Sequence, residues 1–225
     1  MVTTRKRKRT DNKVQKLKKT PRTNRNMVAR TGGFYSPSSS RERKFNDVGV
    51  NFSIAFGATT WAAPAAAQLL NGLTPGSGAT NRIGRKIMIK SIYIRGKATF
   101  GAAVTNSCQF RWLLVYDKQA NATFPATTDV LLNDDYLSPN NISNKDRFVV
   151  IADKVTASVD AAQIKQRSFK WYKRCNLSTQ YNAGVAGTIG DITSGSLFLM
   201  CAQSGGAGIA NPTVTFQCRI RYDDL

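Results

Sequence analysis

Between Lys165 and Arg174 the chain sets five cations (Lys165, Arg167, Lys170, Lys173 and Arg174) around three aromatic rings (Phe169, Trp171 and Tyr172). A single-stranded nucleic acid needs such a surface, because bases stack on rings while Lys and Arg neutralise phosphates. Along a strand Phe169, Trp171 and Lys173 point one way and Lys170, Tyr172 and Arg174 the other. The pattern equally suits two core aromatics with only the cations outside, and then Lys170 and Arg174 remain the phosphate contacts. Arg82, Arg85, Lys86 and Lys90 form a second patch with the same two readings. The largest polycation is N-terminal: Arg5, Lys6, Arg7, Lys8, Arg9, Lys13, Lys16, Lys18, Lys19, Arg22, Arg25 and Arg30, opposed by Asp11 alone and extended by Arg41, Arg43 and Lys44. Contact with phosphates through these residues releases condensed counterions and is independent of base sequence. Arg5, Lys6, Arg7, Lys8 and Arg9 with Lys16, Lys18 and Lys19 also have the form of a two-part nuclear localisation signal. A solubility tail is the third reading of this segment.

Other chemistries are poorly provided for. The chain has no histidine, the commonest general acid and base. Asp134 and Asp135, with Asp129 upstream and Asp146 downstream, are the best carboxylate cluster and weak candidates for a hard cation; adjacent aspartates in a polar loop are more often solvated or paired with Lys and Arg. Cys108, Cys175, Cys201 and Cys218 are widely spaced, form no C-x-x-C pair and argue against zinc. No phosphate loop or dinucleotide fingerprint occurs. No cofactor is called for, and the lack of histidine argues against an enzyme. No apolar run approaches the roughly 20 residues of a membrane helix, so a soluble intracellular protein with no membrane partner is expected.

The elements that position these residues divide the chain in two. Of 33 Lys and Arg against 13 Asp and Glu, the first 44 residues hold 15 against 2, which leaves 18 against 11 for the rest. Residues 1–44 therefore read as a disordered basic arm and tether, since so few apolar side chains cannot offset the entropy of ordering the backbone. At about 5–6 Å × √n, such an arm reaches roughly 35–40 Å.

Residues 45–225 read as one all-β domain. Val214, Phe216, Cys218, Ile220 and Tyr222 alternate with Thr213, Thr215, Gln217, Arg219 and Arg221, which makes one face core and the other basic. Cys108 to Tyr116 is apolar on both faces, as in a strand covered from both sides. In Lys86 to Phe100 the phase of the isoleucines flips around Lys90-Ser91, which demands a bulge. Val48–Phe56, Arg147–Val155, Arg167–Cys175, Leu177–Tyr181 and Ser196–Gln203 complete eight strands. Long insertions (Thr59–Arg85, with a helical turn or two between Ala62 and Leu70, and Lys118–Asp146) suit a single eight-stranded antiparallel jelly roll of two packed sheets.

Three stretches carry a family resemblance. Gly84-Arg85-Lys86-Ile87-Met88-Ile89-Lys90-Ser91-Ile92-Tyr93-Ile94-Arg95-Gly96, Leu114-Val115-Tyr116-Asp117-Lys118-Gln119-Ala120-Asn121 followed by Pro125, and Arg147-Phe148-Val149-Val150-Ile151-Ala152-Asp153-Lys154, placed behind a basic arm, resemble the capsid proteins of small circular single-stranded DNA viruses. The similarity is nearest to geminivirus-like and circovirus-like single jelly-roll coat proteins. It implies a homo-oligomeric icosahedral shell of about sixty subunits, packaging of a circular single-stranded DNA genome by the arm and inner surface, and residence in the virion. A nuclear stage using the host import machinery is also implied. About sixty copies at +20 bring ~1,200 positive charges, on the order of the phosphates in a genome of one to a few kilobases. The chain is shorter than typical geminivirus coat proteins and lacks the zinc-finger-like Cys and His residues of some, so twinned particles and insect transmission are not carried over. The same residues also suit the capsid protein of a small single-stranded RNA virus, or a cellular nucleic-acid-binding protein with a basic extension.

Overall fold

The computed structural model describes residues 43–48, 61–62, 68–99, 109–157, 166–204 and 213–225, all within one compact unit, Ser40–Leu225. The arm cations from Arg5 to Arg41, Cys108, residues 49–56 of the strand expected from Val48, and most of the turn expected between Ala62 and Leu70 lie outside them. Nine strands are described: β1 (Arg43–Val48), β2 (Trp61–Ala62), β3 (Lys86–Thr99), β4 (Gln109–Asp117), β5 (Phe148–Ala157), β6 (Gln166–Tyr181), β7 (Ile192–Ser194), β8 (Ser196–Gln203) and β9 (Thr213–Asp224). They pair antiparallel in a five-stranded sheet ordered β1-β9-β3-β6-β7 and a four-stranded sheet ordered β2-β8-β4-β5. The short β7 only extends the edge beyond β6. The other eight strands interlock as the two Greek keys of a jelly roll, the fold expected from strands joined by long, uneven connections.

β1 precedes the strand expected over Val48–Phe56 and takes in Arg43 and Lys44 of the expected tether, and two further elements depart from the sequence reading. Arg167–Cys175 and Leu177–Tyr181, expected as two strands, are the single β6, because the pairing with β3 continues across a register shift opposite Lys90. The eighth strand is instead β2, inside a stretch that reads as insertion: Trp61 and Ala62 pair with Ala202 and Cys201, and Leu69 bridges to Phe198 further along the same edge. Two paired residues leave no alternation for a sequence to display.

The core lies between the sheets. The register of β3 shifts between Ile89 and Ser91 against both of its neighbours, so the expected bulge exists and brings Ile87, Ile89, Ile92 and Ile94 all to the interior. Each fully buried isoleucine contributes roughly 2 kcal/mol. They join Phe216 and Ile220 of the neighbouring β9 and, from the facing sheet, Phe110, Trp112, Leu114, Leu197 and Leu199 in one cluster. Gly195, at φ +77°, admits the close approach of the Ser178 carbonyl and the Tyr116 hydroxyl, which a Cβ would block.

Strand β4 is buried on both sides, as expected. Its second face, Leu113 and Val115, joins Trp61, Val130, Leu131, Tyr136, Phe148, Phe198 and Met200 in a separate cluster. That cluster exists because the 118–146 insertion folds over the outside of the four-stranded sheet, using the short helix α1 (Thr127–Val130) and a hairpin in which Leu131 bridges to Asn140. Arg111 fastens it from below. Its Nε and Nη2 donate to Asp153 at 2.9 and 2.6 Å, and Nη1 donates to the carbonyls of Tyr136 and Ser138 at 2.7 and 2.9 Å. Trp61 Nε1 adds a bond to the Asp135 carbonyl at 2.9 Å.

Candidate nucleic-acid interface

The outer face of the five-stranded sheet has no such cover among the described residues. Alternation sends Phe216, Cys218, Ile220 and Tyr222 of β9 inward and leaves Gln217, Arg219 and Arg221 outside. Register then aligns side chains in rows across β1, β9, β3 and β6. Asp47, Arg219, Tyr93 and Tyr172 form one row, and Phe45, Arg221, Ser91 and Arg174 the next. Arg95 lies between Gln217 and Lys170, and Lys97 between Thr215 and Ser168. At about 4.8 Å between strands and 3.3 Å per residue, the four strands offer a surface roughly 14 Å wide and, from Lys90 to Lys97, about 23 Å long.

The rings and cations on this face touch each other. Lys170 Nζ lies 5.9 Å from the Tyr93 ring centre and the Arg219 guanidinium 5.3 Å from that of Phe45. Arg174 Nε donates to the Tyr172 hydroxyl at 3.4 Å, and this contact pulls the Tyr172 phenol below its ordinary pKa. Two carboxylates oppose the cations. Asp47 accepts two 2.6 Å bonds from Arg219, which hold its pKa below the usual value, and Asp223 lies 3.7 Å from Lys90. At the β3 bulge the sheet opens into a depression of about 680 Å³, lined by Arg43, Lys90, Ser91, Tyr172, Arg174, Cys175, Asn176, Arg221, Tyr222 and Asp223. A flat cationic face with an exposed ring at the rim of a hollow can neutralise phosphates and stack a base without reading sequence.

The structure distributes the sequence candidates unevenly. Arg43, Lys170, Lys173 and Arg174 are exposed. Trp171 is a correction: it shares the inward phase with Phe169, and the two rings pack on Trp112 with centres 6.2 and 5.5 Å away, so its indole is half-buried against the core. Gly96 makes this possible, since a Cβ there would meet the Phe169 ring at 2.5 Å. Lys44 is a second correction. Its ammonium is buried, 3.1 Å from Asp224 and bonded to the Asn81 carbonyl at 3.1 Å, and is turned away from any external phosphate. In the second basic patch Arg82 is also buried, donating to the carbonyls of Leu73, Gly84 and Gly184 with its guanidinium over the Tyr181 ring, whereas Arg85 and Lys86 are exposed. The remaining candidates, Arg5 through Arg41, lie outside the described residues.

Sequence reasoning left Tyr93, Arg95, Lys97, Arg219 and Arg221 out of the site. The signal was present for the last two in the basic phase of β9. For the first three it becomes visible once the bulge is used to reset the phase of β3. Asp134 and Asp135 are exposed on the covering hairpin, where Asp135 Oδ1 accepts from the Leu137 amide at 2.9 Å, and no group of three metal-ligating side chains occurs among the described residues. Cys201 and Cys218 are buried thiols in strands, and burial pushes the half-buried Cys175 up to about 11. No helix among the described residues is long and apolar enough to cross a membrane.

Comparison with known proteins adds identity to this geometry. The chain is 29% identical over 170 residues to the capsid protein of African cassava mosaic virus (isolate Nigerian), a match covering 70% of this chain and 64% of that protein. It is 33% identical over 82 residues to the coat protein of Maize white line mosaic Satellite virus, covering 36% and 38%. The match thus spans less than two thirds of either relative. Among solved structures, one of desmodium yellow mottle tymovirus aligns over 87% of this chain and 95% of its own at 12% identity, with a TM-score of 0.36. Residues 2–225 match the family described as geminivirus coat protein/nuclear export factor BR1, and the chain belongs to that family.

Proposed function

We propose that the chain is a coat protein that assembles into a closed shell of about sixty copies and encloses circular single-stranded DNA. In this reading the outer face of the five-stranded sheet and the basic arm both meet the phosphates. The observation that carries it is the asymmetry of the sandwich: one face is sealed by a covering layer, while the other presents Arg43, Lys170, Arg174, Arg219 and Arg221 around the exposed Tyr172 ring. Family membership supports the coat role, which is structural rather than enzymatic, and both relatives are named coat or capsid protein. The cations on the face neutralise phosphates of any sequence, Tyr172 stacks a base, and the arm from Arg5 to Arg41 adds a second polycation. The protein's place is the virion, after a nuclear stage in which Arg5–Arg9 and Lys16, Lys18 and Lys19 engage the host import machinery.

Electron microscopy of the purified chain, with its cargo extracted and exposed to DNase and to RNase, tests the reading. Uniform particles with DNase-sensitive cargo are expected, and deletion of residues 1–30 should lower the DNA content of particles whose body remains folded. Isolated subunits under all ionic conditions would refute the shell, RNase-sensitive cargo would refute DNA packaging, and unchanged DNA content in the truncation would remove the arm's role.

A further inference from the structure

Outside the basic face, the covering hairpin stands out. Leu132 and Leu137 are 62% and 75% exposed on it, and Ile142 in the turn that follows is 76% exposed, although the hairpin is braced by bonds from the Leu132 amide to the Pro139 carbonyl at 2.9 Å, from the Asn141 amide to the Val130 carbonyl at 2.9 Å, and from the Asn133 amide to Ser138 Oγ at 2.9 Å. Arg111 clamps it to the sheet beneath. Large aliphatic side chains held in water on a braced element mark a contact surface. The same segment is acidic in a strongly basic chain: between residues 129 and 146 it carries Asp129, Asp134, Asp135 and Asp146 against Lys145.

A complementary surface lies where the loop before β3 meets the loop after β6. Residues 68–86 contain Arg82, Arg85 and Lys86 and no acid. With Arg82 turned inward to the Gly184 carbonyl at 2.8 Å, the two loops are tied together, and Ile83 and Val185 are left 63% and 67% exposed on the same loop pair as the exposed Arg85 and Lys86. Two acids border this surface and both are engaged: the Asp224 carboxylate by Lys44 and by the Ile83 amide at 3.2 Å, and the Asp191 carboxylate by the Gly187 and Thr188 amides at 2.6 and 3.2 Å.

We infer that the covering hairpin of one copy docks on this loop end of a second copy, with Leu132 and Leu137 against the partner's apolar pair and Asp134 and Asp135 against its exposed cations. Charge complementarity fixes the occupant: an acidic, apolar tip on a chain of net charge +20 finds its match in the basic, apolar patch of another copy of the same chain. Because the two patches differ, the contact can run head-to-tail from copy to copy, and it forms a ring where the rotation between copies closes. The inference rests on the shell reading above and adds to it which surfaces meet.

Light scattering and electron microscopy of the full chain, across protein concentrations, test it. Asp134→Lys with Asp135→Lys should raise the concentration needed for particles by about tenfold or more, with a parent-like circular dichroism spectrum and an unfolding midpoint only slightly lowered by loss of the Asp135–Leu137 bond. Adding Arg85→Glu and Lys86→Glu to that variant reverses both sides of the contact and should restore assembly to within about threefold of the parent. Parent-like assembly of the two-site variant, or failure of the four-site variant to recover while it remains folded, overturns the contact. Absence of particles from the parent chain overturns the shell reading itself, and so the two failures are distinguishable.

Discussion

On the four-stranded sheet Arg111 points outward and is buried; on the five-stranded sheet Arg221 points outward and stands in solvent. Both are arginines in strands whose other face is core, and the difference is made by the 118–146 insertion, which covers one sheet, while no described residue covers the other. Under cover, a guanidinium becomes a fastener with a defined set of acceptors. Left open beside Tyr172 and Arg174, it stands exposed, as the proposed contact with a polyanion requires. Residue type and strand phase do not decide between these roles. What the rest of the chain does with the space above the sheet decides it.

The sharpest way to break this contrast is to remove the cover's foundation. Phe198→Ala empties a fully buried position beneath the insertion and should cost about 3–5 kcal/mol in urea unfolding. Arg111→Ala comes next, at about 2–3 kcal/mol, because it strips donors from Asp153 and two carbonyls; the cost stays below that of a wholly buried pair since the Asp153 side chain is 39% exposed. The same change at Arg221 should stay within about 0.5 kcal/mol in the same assay. Equal losses at the two arginines would erase the distinction between the faces.

The open face is sharpened by salt dependence. Replacing Lys170, Arg174 and Arg221 by Ala should reduce the slope of log affinity against log salt for a single-stranded oligonucleotide by about 2. Lys44→Ala should leave that slope unchanged and instead cost about 2 kcal/mol of stability, since it abandons Asp224. A slope that responds to Lys44 and not to the other three would place the phosphates elsewhere.

These contrasts also mark where the amino-acid pattern is informative. Alternation in β9 and the phase flip in β3 reveal two strands and a bulge, because a period of two is imposed by core contact on one side. Strand β1 hides its phase: Lys44 is inside and Phe45 outside, the reverse of what hydrophobicity suggests. The inversion holds because Asp224 and the Asn81 carbonyl receive the ammonium while Arg219 covers the Phe45 ring. The covering layer is invisible for a related reason. Val130, Leu131 and Tyr136 follow no helical or strand period, and their burial depends on Leu113 and Val115 of a strand already accounted for. Of the candidate site, Lys170 and Arg174 could be read directly, whereas Trp171 could not be assigned without seeing Trp112 and Gly96.

The smallest expected effect concerns the half-exposed Asp47–Arg219 pair on the open face. Arg219 holds the Asp47 carboxyl below its ordinary value of 3.8, so the stabilisation it gives is present above that value and is lost as pH falls through the lowered one. The difference in thermal midpoint between the parent and Asp47→Asn should accordingly be small at pH 7 and vanish in strong acid. A difference that grows on acidification would have the wrong sign.

Ultraviolet cross-linking of purified particles, followed by mapping of the nucleotide-bearing peptides, tests most directly which face meets the cargo. Adducts are expected on the segments carrying Tyr93 and Tyr172, with residues 127–150 free of them. Adducts concentrated on 127–150, with none on the five-stranded sheet, would contradict the assignment of the open face to nucleic acid.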